Sequence, residues 1–272
     1  MAATRLPTYF ISHGGGPWPY MPDMAPVMAK LKAALEGIAQ EVGERPKAVL
    51  VITGHWEERE FTVSSSPEPP MIYDYGGFPA HTYQVTYRAP GSPELAGRVH
   101  SLLQAAGLPT RLDPQRGYDH GTFVPLAVMY PQAEVPVVQL SLRRDFDPAV
   151  HVAVGRAIAP LREEGVLIVG SGLSYHNLRA FGPMGREASH RFDEWLQEVL
   201  TRSTPEERIQ QLNRWTQAPA ARQAHPREEH LLPLMVAVGA AADEAGECTY
   251  HEEDFFGAMA VSNFRFGGLP AA

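Results

Sequence analysis

The sequence predicts an α/β domain with a mostly parallel central sheet flanked by helices. Four short, continuous apolar runs, Thr8–Ser12, Ala48–Thr53, Val135–Leu140 and Val166–Ser171, read as buried strands. Stretches of helical spacing alternate with them, the pattern of βαβ units joined by right-handed crossovers. An apolar fraction of 44% and a charged fraction of 20% over 272 residues, with no repeat, low-complexity tract or linker, point to one domain spanning 1–272.

The elements follow in order. Thr8–Ser12 ends at Gly14-Gly15-Gly16, and Asp23–Gly37 carries Val27, Leu31 and Leu35 at helical spacing, with Gly37 as a stop. Ala48–Thr53 completes the first βαβ unit. Phe61–Ser64 and Tyr83–Tyr87 are β-like, and Pro67–Pro79 between them reads as an ordered loop. Ser92 caps a helix to Ala106, with Pro93 and Glu94 in its first turn and Gly107 after it. Asp119-His120-Gly121 is expected as a loop before a helix over Val124–Tyr130. Val135–Leu140 is a strand, Pro148–Glu163 a helix and Val166–Ser171 a strand. Helices are expected over Glu187–Leu200, Pro205–Trp215 and Leu232–Ala242, and a last strand over Ala258–Phe266.

Composition removes several functions. A net charge of −8 opposes a nucleic-acid partner, which needs a basic face. The single cysteine, Cys248, leaves no internal disulfide and no thiolate zinc site, so any metal must rest on imidazoles and carboxylates. No apolar stretch is long enough for a membrane span, and Met1–Pro7 lacks the apolar run of a signal peptide. A soluble, cytoplasmic protein is therefore expected, and a homo-oligomer is compatible with everything above.

Four of eleven histidines stand where an apolar run breaks into a glycine-rich or polar turn: His13, His55, His176 and His230. Ligands of open α/β sheets bind at the C-terminal ends of strands, so a metal site is expected there. His13 and His55 end consecutive strands expected to be neighbours, which would bring both rings to one ion. In His225-Pro226-Arg227-Glu228-Glu229-His230, Pro226 and Pro233 are both suitable helix starts, and His230 and Glu229 are equal candidates for a third ligand. His120 and His176, in loops, suit proton transfer near neutrality. His100, His151 and His190 are expected on the surface, and His81 and His251 have no comparable setting. Phosphate-loop, dinucleotide and nucleophile-elbow motifs are absent, and the acidic setting of Cys248 dulls a thiolate.

Together, Ser12-His13-Gly14, Thr53-Gly54-His55-Trp56, Asp119-His120-Gly121 with Pro125-Leu126, Gly170-Ser171-Gly172 with His176-Asn177-Leu178, and His225-Pro226 with Glu229-His230 and Pro233-Leu234 form an ordered set. It resembles the class III extradiol ring-cleavage dioxygenase superfamily, in its single-chain 4,5-DOPA dioxygenase branch, over about Pro7 to Ala242. The resemblance implies a metal on His13, His55 and His230, with His176 touching the metal or acting as acid–base partner, and His120 bonding substrate or dioxygen. Non-haem Fe(II) is implied for activity, and zinc also suits an all-histidine set. The implied substrates are dioxygen and a small aromatic diol such as DOPA, opened to a muconic semialdehyde. Trp18, Tyr20, Trp56, Phe123 and Tyr175 would wall the ring or fill the core, and Arg179 or Arg227 would receive a substrate carboxylate. Without the resemblance, the same histidines suit a zinc hydrolase or a non-catalytic binding protein.

Overall fold

The computed structural model describes residues 5–43 and 46–269; the N-terminal stretch read for a signal peptide lies partly outside them. Its strands are β1 (Thr8–Ser12), β2 (Ala48–Glu58), β3 (Phe61–Ser64), β4 (Thr110–Asp113), β5 (Val137–Arg143), β6 (Val166–Gly172), β7 (Gly246–Phe255) and β8 (Met259–Phe266). They make one sheet in the order β4-β3-β5-β2-β6-β1-β8-β7. Its centre, β5-β2-β6-β1, is parallel, while β8 joins β1 and β3 joins β5 antiparallel.

The expected adjacency of β1 and β2 is not what forms. β6 lies between them, with Val169 opposite both Tyr9 and Val51. All seven β6 residues are buried, so this strand takes the most covered position in the sheet. β2 also runs beyond the expected Thr53. Its register with β5 shifts between Ile52 and Glu57, and His55 sits in that irregular stretch instead of at a strand end. A bulge of this kind re-aims side chains.

Two polar edge strands, β4 and β7, have no counterpart in the sequence reading. β4 is four residues long with none of them buried, and β7 interleaves acidic residues with few buried positions, so neither shows an apolar run. Conversely, Tyr83–Tyr87 alternates in burial but pairs with no strand; Tyr83 ends a 3₁₀ turn from Ala80.

Eight helices flank the sheet among the described residues: α1 (Ala29–Val42), α2 (Pro93–Ala105), α3 (His120–Met129), α4 (Pro148–Ile158), α5 (Arg186–Thr201), α6 (Pro205–Asn213), α7 (Ala221–Ala224) and α8 (Leu232–Ala240). α1 starts later than expected and passes through Gly37, because Leu31, Leu35, Ile38 and Val42 continue one buried stripe; it stops at Gly43, at φ 72°. α3 begins four residues early, since the Asp119 carboxylate accepts the backbone N–H of Thr122 and caps it. α8 is buried on all sides, over β6, β1 and β2, with α4 against it. No helix among the described residues is long and apolar enough to cross a membrane.

His151 is buried rather than at the surface. Its Nδ1 meets Asp147 O at 2.7 Å and its Nε2 accepts the Arg143 N–H at 3.2 Å, a pairing that only the neutral ring satisfies. His100 and His190 are half-buried. His225 is buried as well, with Nε2 2.9 Å from Ser174 O.

Burial pushes both His151 and His225 down to about 4 from 6.5. Above 6.5 neither state binds these protons. Below it the unfolded chain takes them up while the folded chain refuses them until about 4, so stability falls across that window, by up to roughly 3 kcal/mol per group. The melting temperature of metal-free protein should decline steadily as the pH drops from 6.5 toward 4. A constant melting temperature there would contradict this account.

Candidate metal centre

Three histidines reach one point from three elements. His13 follows β1 directly, and its N–H continues the ladder by donating to Gly172 O at 3.0 Å. The Trp18 indole donates to His13 O at 2.8 Å, so both backbone groups of this residue are fixed. His55 comes from the irregular part of β2, its N–H on Thr53 Oγ1 at 3.0 Å. His230 lies in the turn before α8. Of the two prolines considered, Pro233 is the one in the helix's first turn, which leaves His230 free to face the strand ends.

Close backbone approach makes this meeting feasible. A Cβ on Gly54 would lie 2.9 Å from Glu229 O and 3.1 Å from His230 Nδ1, and one on Gly172 would lie 2.1 Å from His230 O. Only glycine fits at either place.

The three Nε2 atoms converge. His55 Nε2 is 3.3 Å from His13 Nε2 and 3.2 Å from His230 Nε2. Each imidazole has a single proton when neutral, and its neighbours decide which nitrogen carries it. Glu229 Oε1 is 3.1 Å from His230 Nδ1, and Asp74 Oδ2 is 3.3 Å from His55 Nδ1. Carboxylates only accept, and the Glu229 contact favours the His230 proton on Nδ1; with the His55 proton likewise on Nδ1, facing Asp74 Oδ2, both Nε2 atoms present lone pairs. Two lone pairs 3.2 Å apart cannot bond each other, whereas a cation between them satisfies both. Bonds of about 2.0–2.1 Å to a tetrahedral metal separate its nitrogens by about 3.3–3.4 Å. The donor set therefore fits a metal ion.

Protons compete weakly here. Burial, and after it the neighbouring imidazoles, holds His13, His55 and His230 well below the ordinary histidine range. Neutral rings are the metal-binding form.

Glu229 turns its Oε1 toward the Nδ1 side of the His230 ring. The same oxygen that faces His230 lies 3.2 Å from His176 Nδ1. The His176 ring stacks on His230 with centroids 3.4 Å apart and 14° between planes. Burial is the largest single influence on the Glu229 carboxyl and acts to raise it, but the His176 hydrogen bond, a backbone N–H and the charges of His176 and Arg227 together hold the group below the usual range. His176, Glu229 and His230 also form a second group with ligand-type atoms close together.

His120 is the first residue of α3, not part of a loop, and its ring lies 4.0 Å from that of His55. The buried Asp119 that caps α3 also accepts Arg116 Nη2 at 2.6 Å and Thr53 Oγ1 at 3.3 Å. These bonds fix where the His120 ring enters the cluster. The five histidines singled out from sequence thus share one site.

Asp74 and Arg116, both at this site, escaped the sequence reading. Asp74 Oδ1 accepts both the backbone N–H of His120 at 3.0 Å and its Nδ1 at 2.8 Å. Arg116 sits 4.8 Å over the Trp56 ring and reaches His55 O at 3.4 Å. A lone acid or base in a polar loop carries no periodic signal. The one available hint was Tyr73-Asp74-Tyr75, a charge between aromatics in a loop already read as ordered.

The aromatic expectations divide. Trp18, Trp56, Phe123 and Tyr175 are buried and Tyr20 is half-buried, whereas Tyr75, not singled out before, has its ring 5.8 Å from His120. Both terminal guanidinium nitrogens of Arg227 donate to Glu57 at 2.6 Å, and Arg179 is exposed.

Comparison with known proteins gives a consistent picture. Residues 7–266 match the family described as the catalytic LigB subunit of aromatic ring-opening dioxygenase. A 4,5-DOPA dioxygenase extradiol of Beta vulgaris is 40% identical over 95% of this chain and 96% of its own. The protein of that name in Escherichia coli K12 is 36% identical over 88% of this chain and 87% of its own. A dioxygenase, tasH, of Hapsidospora irregularis is 35% identical over 98% and 88%. The crystal structure of an uncharacterized Escherichia coli K12 protein superposes with a TM-score of 0.77 at 30% identity, covering 97% of this chain and all of the other.

The tight seat of His230 yields a test. In Gly54→Ala the new methyl must displace the Glu229–His230 turn, so zinc affinity in chelator competition should drop about tenfold or more while the metal-free protein melts nearly as before. Unchanged zinc affinity would refute the packing account.

Proposed function

This chain belongs to the aromatic ring-opening dioxygenase family of the LigB catalytic subunit, and from that premise we propose extradiol cleavage of a catechol by dioxygen at a metal on His13, His55 and His230. What supports the ligand assignment is the convergence of three ring nitrogens, His55 Nε2 lying 3.2 Å from His230 Nε2 and 3.3 Å from His13 Nε2. In this reading residues 1–272 act as one catalytic domain. Bound there, non-haem Fe(II) supplies Lewis acidity that lowers the hydroxyl pKa of the catechol, and an electron path between ring and dioxygen. Zinc suits the same imidazoles and accounts for any zinc in purified protein.

The remaining work falls to this chain's own groups. Glu229 holds the His176 proton at Nδ1, which leaves Nε2 to take a proton from a catechol hydroxyl and return it during ring opening. His120, tied at Nδ1 to Asp74, offers its other nitrogen to an oxygen of the catechol or of dioxygen. Tyr75 gives the substrate ring an aromatic neighbour on the His120 side. Because the names of several relatives specify DOPA, DOPA is the first catechol to supply.

Anaerobic Fe(II) reconstitution followed by a catechol panel tests the reaction: oxygen uptake should match formation of a yellow ring-fission product. No uptake with any catechol would sink it and favour zinc hydrolysis. His176→Ala should keep its metal yet lose about 10²–10⁴ in turnover. Full turnover in that variant would refute its proton role. His13→Ala and His55→Ala should each lose the metal, and undiminished metal content in both would remove the site.

A further inference from the structure

The two carboxylates beside the cluster are each shared by two imidazoles, but in different ways. Glu229 turns one oxygen, Oε1, toward both His230 and His176. Asp74 divides its oxygens: Oδ1 accepts from the backbone and ring of His120, while Oδ2 lies 3.3 Å from His55 Nδ1. We infer that Asp74 is a positioning residue that fixes two tautomers at once, those of a metal-site histidine and of the substrate-facing histidine, so that both present Nε2 to the reaction. This rests on the metal and substrate roles proposed above for His55 and His120.

Asp74 is itself held in place. Its neighbours are anchored by their hydroxyls, Tyr73 on Val85 O at 2.7 Å and Tyr75 on Thr82 O at 2.6 Å. These bonds hold the stretch of backbone from which the carboxylate projects. Its partners are also fixed, His120 by the capped start of α3 and His55 by its bond to Thr53.

Only a group with two acceptor oxygens can do this. Asparagine has nearly the same shape, but one side is a donor. If its oxygen serves His120, its NH₂ faces His55 Nδ1, draws a lone pair there and moves the His55 proton to Nε2, where a metal must bind. Turned over, it serves His55 and faces His120 with the wrong group. Glutamate is a poorer steric match but keeps both acceptors. Geometry alone would favour Asp74→Asn over Asp74→Glu. Tautomer control reverses that order.

The test measures zinc affinity by chelator competition, and kcat and KM for DOPA after Fe(II) loading, in wild type, Asp74→Asn, Asp74→Glu and His55→Ala. Metal-free melting curves check folding. Asp74→Asn should lose about 10–100-fold in zinc affinity or, with its amide turned over, keep zinc and lose a similar factor in kcat/KM. Asp74→Glu should recover part of whichever is lost. Asp74→Asn within about twofold of wild type in both quantities, or Asp74→Glu more impaired than Asp74→Asn in both, would overturn the inference. Zinc binding that His55→Ala leaves undiminished would instead overturn the metal reading on which it stands.

Discussion

The Nε2 atoms of His55 and His230, each on a ring whose Nδ1 faces a carboxylate and so favours a lone pair on Nε2, stand 3.2 Å apart in a largely buried site. In a low-dielectric interior this is unfavourable unless a cation lies between them. Much of the local structure serves to keep the rings there. β1 is extended by one bond beyond its last residue, β2 leaves its ladder for a few residues, and α8 begins just late enough to free His230. Gly54 and Gly172 remove side chains where the His230 turn would otherwise be pushed out.

Charge is distributed around the cluster in a way that bears on catalysis. The three converging nitrogens are neutral, while Asp74 and Glu229 stand one imidazole further out. A metal on such a set keeps its full positive charge for an incoming catecholate, yet feels stabilising anions behind its ligands. Glu229 has a cation nearby, with Arg227 Nη1 3.6 Å from its Oε2, and Arg116 pairs with the buried Asp119 under His120. His176 and His120 approach from opposite carboxylates, which separates a ring suited to proton transfer from one suited to holding an oxygen.

The sequence made the parallel centre of the sheet legible, because β1, β2, β5 and β6 are continuous apolar runs with helical patterns between them. β4 and β7 were not legible, since polar edge strands have no run to see. The order of strands was also hidden: a βαβ pattern does not say that β6 will later enter between β1 and β2. That insertion separates the stems of His13 and His55, yet their Nε2 atoms still meet at 3.3 Å, His55 standing in the overrun of β2. Histidines at breaks in apolar runs were visible individually. Asp74 was not, because its partners lie 19 residues before it and 46 after, and nothing local marks such a pairing. Which proline starts α8 was also hidden, a matter of backbone geometry that residue identity left open.

The most direct measurement is anomalous diffraction from crystals of the protein loaded anaerobically with Fe(II). The account predicts one iron peak bonded to Nε2 of His13, His55 and His230, with Glu229 and Asp74 outside bonding distance. Iron bound through the Glu229 carboxylate, or a cluster that remains without metal after loading, would contradict it.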